Sequence, residues 1–203
     1  RGVRIHTKTR VIGFEGKSKV ERVVCENDVF DADLVIVGIG IIPNSELAEK
    51  AGIACENGIT VDERCQTSIP QIYAAGDCTN HPNPLLNRRL RLESVPNAME
   101  QARVCASNMV GKDKIYSSIP WFWSDQYELK LQMVGFSSDG DSEIIRGDMD
   151  SNQFSVFHVK ENKVMAADSV NSPKDFMICK QLIGKEVDLD KLLDESIELK
   201  SML

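Results

Sequence analysis

The chain is poor in the residues that most often carry side-chain chemistry. Only three histidines, at positions 6, 81 and 158, occur in 203 residues, and none has a sequence neighbour that suggests a catalytic triad or a metal site. The six cysteines, at 25, 55, 65, 78, 105 and 179, include no C-x-x-C pair and no spacing that suits zinc. This excludes a sequence-local redox disulfide and leaves free, mostly buried thiols of a reducing compartment as the plain reading. Long hydrophobic runs are missing too. The longest, Leu34–Ile42, spans nine residues including its glycines, against about 20 for a membrane span. No signal-peptide pattern is seen. Positive charge is in deficit: the net charge is −7, which argues against overall attraction to nucleic acid while allowing a local basic patch. A Gly-rich dinucleotide fingerprint is also absent. Gly38-Ile39-Gly40 is followed by Ile-Ile-Pro instead of a helix opening on a third glycine. The chain starts inside a strand-like pattern without Met, so it is expected to be the back part of a longer protein.

What is present is an ordinary globular composition, 42% apolar and 27% charged, with one informative stretch. In Thr67–Cys78, TSIPQIYAAGDC, a polar turn leads into the apolar run Ile72–Ala75, which stops at Gly76-Asp77. This reads as a buried strand ending in a glycine that lets a ligand approach, then one carboxylate at the strand's carboxyl end. Open α/β sheets bind ligands at that edge. A carboxylate there accepts hydrogen bonds from hydroxyls and repels phosphate. A plain Gly-Asp turn gives the same letters. Three further blocks accompany it: Asp33–Asn44, DLVIVGIGIIPN; Leu92–Gln101, LESVPNAMEQ; and Pro120–Gln126, PWFWSDQ.

Together, in this order and spacing, the four blocks resemble the C-terminal half of two-dinucleotide flavoprotein reductases. The subgroup is the NADH-dependent ferredoxin reductases serving Rieske-type dioxygenases and cytochromes P450, the putidaredoxin reductase group, with PWFWSDQ as the subgroup-specific part. The resemblance implies an α/β fold, the C-terminal part of FAD- and NAD(P)-binding Rossmann-like domains, followed by an α+β C-terminal reductase domain. The implied divisions are 1–36, the last strands of the NAD(P)H-binding domain; 37–115, the C-terminal part of the FAD-binding domain; and 116–203, a C-terminal interface domain.

Local patterns sharpen this. Residues 1–36 read as a strand meander, VRIHT, RVIGFEG, VERVVCEN and VFDADLVIV. A helix is expected at about Ser45–Ala51, closed by Gly52, and strands near Ile59–Val61 and Ile72–Ala75. A longer helix, Pro96–Val110, has Pro96 in its first turn and Gly111 just past its end, with Ala98, Met99, Ala102, Cys105, Ala106 and Met109 on one face. Strands follow at Leu129–Phe136, Ser142–Gly147, Phe154–Lys160 and Lys163–Val170, the last two joined at Glu161-Asn162. A last helix starts at Ser172-Pro173-Lys174-Asp175, an N-cap pattern, and ends before Gly184.

The resemblance also implies roles. Asp77, after Gly76, would bind a ribityl hydroxyl of FAD. The helix start around Ser94, Val95 and Asn97 would face the anionic edge of reduced flavin with its unpaired N–H groups and partial positive charge; a plain packing helix would look the same. Glu93 would position the nicotinamide of NADH, or be a surface or capping residue. Gly40 would let backbone approach NADH, or serve a turn needing positive φ, and both can hold. Trp121 and Trp123 flank Phe122 in an expected loop after Pro120; Trp121 is expected in the core and Trp123 beside the flavin. Cys78 sits at the presumed flavin edge, with packing its simpler role. Arg88, Arg89 and Arg91 form a basic cluster that is either a solvated loop or a docking patch for an acidic ferredoxin.

The implied activity is hydride transfer from NADH to FAD, then single electrons to a [2Fe-2S] ferredoxin, with the missing N-terminal half required and the fragment alone inactive. A cytoplasmic protein able to form a homodimer, with no nucleic-acid or membrane partner, is expected. The rivals are a rubredoxin reductase, an NADH oxidase or an apoptosis-inducing-factor-like protein on the same half-fold, or 116–203 acting as a non-catalytic dimerisation or docking module.

Overall fold

The computed structural model describes residues 2–203, in two units, Arg1–Ile42 and Pro43–Leu203. In the first, strands β1 (Val11–Glu15), β2 (Arg22–Cys25) and β3 (Val29–Asp31) form an antiparallel sheet in that order. Each strand carries Val, Ile or Phe and is bounded by a turn, and the register Phe14↔Val23↔Phe30 aligns the larger apolar residues. Two expected strands do not form, VRIHT at its start and DLVIV at 33–37. A continuous apolar strand needs partners along its edges and cover on both faces. This unit has neither to offer among the described residues, and Leu34 and Ile36 are 79% and 89% exposed.

The second unit opens with α1 (Glu46–Lys50), which ends as foreseen at Gly52, φ +76. Then β4 (Ile59–Thr60) runs parallel to β5 (Thr79–Asn83), which pairs antiparallel with β6 (Arg88–Leu90). The expected strand at Ile72–Ala75 is reduced to a single bridge, Gln66↔Tyr73. The strand lies instead just past the Gly76-Asp77 turn, in the polar run TNHPN. Its polar residues are buried, Thr79 fully and His81 to 1% exposure, with side-chain and backbone partners for Thr79, Asn80, Asn83 and His81 Nδ1.

Helix α2 (Val95–Met109) follows, with Ser94 as N-cap accepting from the Asn97 N–H at 3.3 Å and Gly111 beyond its end at φ +82. Its bounds match the capping signals. Its buried face does not match the apolar one. Asn97, Gln101 and Cys105 point inward, at i, i+4 and i+8, while Met99, Ala102, Ala106 and Met109 are exposed. Hydrogen bonds to the β5 segment turn the polar stripe in, at the expense of the apolar stripe.

The rest of the unit is a five-stranded antiparallel sheet, order β7-β8-β11-β10-β9. Its strands are β7 (Trp121–Gln126), β8 (Leu129–Gly135), β9 (Ser142–Asp148), β10 (Gln153–Lys160) and β11 (Lys163–Val170). PWFWSDQ was expected to be a loop; it is the edge strand β7, registered Trp121↔Val134 and Trp123↔Gln132. One face, carrying Val134, Phe157, Val159, Ala167 and Val164, packs with Phe176, Cys179 and Leu182 of α3 (Pro173–Leu182) and Leu192 of α4 (Leu189–Leu193). Ser155 and Ser169 meet across that face at 2.8 Å, so two buried hydroxyls satisfy each other. Ser172 precedes α3 but does not cap it: its hydroxyl donates back to the Val170 carbonyl at 3.1 Å.

Buried Arg146 pins the C-terminal segment. It lies on the inward face of β9 with Ile144 and donates to the carbonyls of Leu192, Asp194, Glu195 and Ile197. Four neutral acceptors in a buried site replace the water a guanidinium otherwise needs.

Candidate functional site

The junction between β6 and α2 collects most of the residues singled out above. Gly76 is buried at φ +88 and packs on the first turns of α2; a Cβ there would stand 3.5 Å from that of Ala98. Its N–H donates to Gln101 Oε1 at 2.7 Å, and the Thr79 hydroxyl lies 2.7 Å from the same oxygen. Since that oxygen faces Gly76, the Gln101 amide nitrogen faces His81 Nδ1 at 2.9 Å and donates to it. His81 then carries its proton on Nε2, which is buried without an acceptor, beside the Tyr116 ring at 5.1 Å. Burial first, then the charge of Arg89, pushes its pKa down to about 4, so the ring is neutral. Tyr116 donates to Asn97 Oδ1 at 3.0 Å and Asn97 donates to the Leu92 carbonyl at 2.9 Å. The Tyr116 hydroxyl is pushed above its ordinary range, chiefly by burial. This connected network fixes the Gly76-Asp77 turn against the start of α2.

Asp77 itself is exposed. Its carbonyl accepts from Arg91 Nη1 at 3.3 Å. The same Arg91 nitrogen lies 2.8 Å from Glu93 Oε1, and Arg91 Nε donates to Asn57 Oδ1 at 3.1 Å. At the helix start, Pro96 has no N–H, and the N–H groups of Asn97 and Ala98 are taken by Ser94. The Val95 N–H is therefore the first-turn donor left unclaimed among the described residues.

A cleft of about 310 Å³ opens beside this junction, lined by Leu92, Glu93 and Ser94 on one wall and by Trp121, Phe122 and Met133 on the sheet wall. Its lining is mostly apolar. Trp121 keeps its indole N–H buried with no acceptor among the described residues. Asp168, at the cleft's floor, pairs with buried His158 at 2.9 Å.

Glu93 and Ser94 thus reach the cleft, while Gly76 and Asp77 are joined to them through Arg91 and Gln101. Trp121 and Trp123 do share a strand face, their rings 5.6 Å apart. Trp121 packs towards the core against Phe176, with Lys180 over its ring at 4.3 Å. Phe122 and Phe136, not Trp123, join Trp121 as the aromatics of the cleft. Gly40 belongs to the first unit, at φ +99 with open space where a side chain would be. Cys78 Sγ lies 3.7 Å from the Ala75 carbonyl, a packing contact.

The three arginines have partners inside the chain. Arg88 forms a two-pronged bond to Asp139, both at 2.9 Å, and stacks on Phe136. Arg89 donates to Asn80 and to the Val61 carbonyl. Arg91 is turned inward, its side chain 11% exposed. Sequence reasoning missed Gln101, His81, Asn57 and Arg146. For Arg146 a signal existed, since the alternation of EIIRGD places it on Ile144's inward face.

No group of His, Cys, Asp and Glu among the described residues could hold a metal ion. No described helix is long and apolar enough to cross a membrane.

Comparison with known proteins gives two family matches: residues 1–102 fit the pyridine nucleotide-disulphide oxidoreductase model and residues 121–203 the reductase C-terminal model. Putidaredoxin reductase of Pseudomonas putida is 47% identical over the whole chain, which covers 49% of that relative. A ferredoxin reductase structure from Rhodopseudomonas palustris superposes with a TM-score of 0.92 at 37% identity, over 98% of this chain and 50% of that one. The covalent putidaredoxin reductase–putidaredoxin complex gives 0.90 at 46% identity, over 99% and 50%. The chain spans about half the length of the relatives it matches.

Proposed function

Because this chain belongs to the pyridine nucleotide-disulphide oxidoreductase family and carries a reductase C-terminal region, we propose that it forms the carboxyl-terminal half of an NADH:ferredoxin reductase. FAD and NADH are its cofactors, and a [2Fe-2S] ferredoxin serving an oxygenase is its acceptor. The observation that carries this reading is the junction at the start of α2. There the turn carrying exposed Asp77 and the Glu93 carboxylate are tied together by Arg91, close to the first turn of α2 with its unclaimed Val95 N–H and beside an apolar cleft.

Those groups suit FAD. Asp77 can accept from ribityl hydroxyls, and the open α2 terminus, with its partial positive charge, favours an anionic ring edge. Glu93 and the cleft wall are assigned to the nicotinamide and Trp123, the third residue of β7, to shielding the flavin; Gly40, in the first unit, is assigned by itself to backbone approach by NADH. The flavin supplies the redox chemistry when bound; the protein binds, orients and excludes water. Residues 1–36, 37–115 and 116–203 are assigned as the last strands of the NAD(P)H domain, the end of the FAD domain and the interface domain.

For the acceptor, the covalent complex of a 46% identical reductase with putidaredoxin supports a ferredoxin as partner. Arg88 and Arg89 on the β5–β6 hairpin are the proposed docking charges. Arg89 has no carboxylate partner among the described residues, whereas Arg88 shares its charge with Asp139. The protein is placed in the cytoplasm, and the chain by itself is expected to be inactive.

An absorption spectrum of the intact gene product, followed by anaerobic NADH, tests the proposal. Flavin bands that bleach on NADH addition, with faster reoxidation by [2Fe-2S] ferredoxins than by rubredoxins or oxygen, are expected. A protein that stays colourless after FAD reconstitution would overturn it and favour a docking module for 116–203.

A further inference from the structure

We propose that Arg91 is a positioning residue for cofactor binding: it clamps the Asp77 turn and the Glu93 carboxylate into one rigid unit. The inference rests on the function proposed above. Its basis is geometric. The two N–H bonds of Nη1 have two acceptors, Glu93 Oε1 at 2.8 Å and the Asp77 carbonyl at 3.3 Å, and Nε–H has a third, Asn57 Oδ1 at 3.1 Å.

The stem has its own seat. Gly58, φ +112, lies under it, and a Cβ at that position would come within 3.0 Å of Arg91 Cδ and 2.7 Å of the Cys78 carbonyl. Only glycine admits the arginine, the turn and the β4 approach at once. Three chain segments, 57–58, 76–78 and 91–93, therefore meet on one nearly buried guanidinium. Exposed arginines hold such geometry weakly; this one is 11% exposed and its planar fork is pre-organised for several acceptors. Lysine would keep the charge but cannot reach all three acceptors. Through this clamp, the turn that carries Asp77 and the Glu93 carboxylate keep a constant separation, so the residues assigned to the two cofactors are held in mutual register.

The test uses the intact protein with Arg91→Lys, Arg91→Met and Gly58→Ala. Arg91→Lys is expected to raise the KM for NADH roughly tenfold with kcat within about twofold, a loss of binding rather than of chemistry. In the same variant, without added cofactor, amide exchange at Gly76–Thr79 is expected to quicken roughly tenfold while exchange in β10 and β11 stays unchanged. Arg91→Met and Gly58→Ala should reproduce both effects. Unchanged exchange and unchanged KM in Arg91→Lys would overturn the clamp; faster exchange with unchanged KM would reduce it to a structural bond and overturn the positioning role. If the parent protein binds no flavin, the functional reading fails separately, and exchange alone then decides whether Arg91 clamps the turn.

Discussion

The two units of this chain contrast sharply. In the first, Cys25 is the buried residue, and Ile36, Ile39 and Ile42 are each about nine-tenths exposed. In the second, Phe157, Val164, Phe176, Leu182 and Leu192 are fully or almost fully buried in one continuous core. Both contain well-paired antiparallel strands. What separates them is a covering layer: α3, α4 and the C-terminal segment lie over one face of the five-stranded sheet, while β1-β2-β3 has no second layer within its own unit. Pairing alone gives a sheet its shape, and burial gives it stability.

Core truncation should break the contrast most visibly. Phe157→Ala is expected to lower unfolding free energy by about 3–5 kcal/mol, whereas Phe14→Ala, 52% exposed in the first unit, should change it by less than about 0.5 kcal/mol. Urea titration read by tryptophan fluorescence checks the first, since both Trp residues lie in β7, and amide exchange in β1–β3 under the same titration checks the second.

Acidification should act next, and on the second unit alone. His81 has a folded pKa of about 4 against an ordinary 6.5. The unfolded chain therefore binds the extra proton first, and stability is fully present above pH 6.5 and falls as pH drops towards 4. The window corresponds to roughly 3 kcal/mol at most. Denaturation midpoints across pH 4–7 should show this slope, and His81→Gln should flatten it.

Gln101→Leu should cost about 1–3 kcal/mol, because the Gly76 N–H and His81 Nδ1 both lose a buried partner. Faster amide exchange at Gly76 would accompany it. Last, Ser94→Ala should cost about 1 kcal/mol through the lost N-cap, measured by the same titration. An equal response of the first unit's amides in either variant would dissolve the distinction between the units.

The elements with strong local signals were legible in advance. The bounds of α2 followed from Pro96 and Gly111, and β8 to β11 were foreseen as strands, the last two joined at Glu161-Asn162. The expected α/β part followed by an α+β part stands, as does the family. Less was readable at the site. Gly76 and Asp77 were marked by their place after an apolar run, and Glu93 and Ser94 by the family resemblance, yet their mutual attachment runs through Arg91 and Gln101, whose letters give no sign that they point inward. The strand at Thr79–Asn83 was hidden for the same reason: a buried polar strand has no hydrophobic period, and its partners lie about 20 residues away, in α2.

Taken alone, the sequence determined where helices and turns begin and end, because capping hydroxyls, prolines and positive-φ glycines act over three or four residues. Only the tertiary structure decided which face of α2 is buried, that PWFWSDQ is a strand and that Arg91 points inward. Each of those outcomes depends on hydrogen-bond acceptors and apolar area supplied by distant segments, and no local pattern records where such partners will stand.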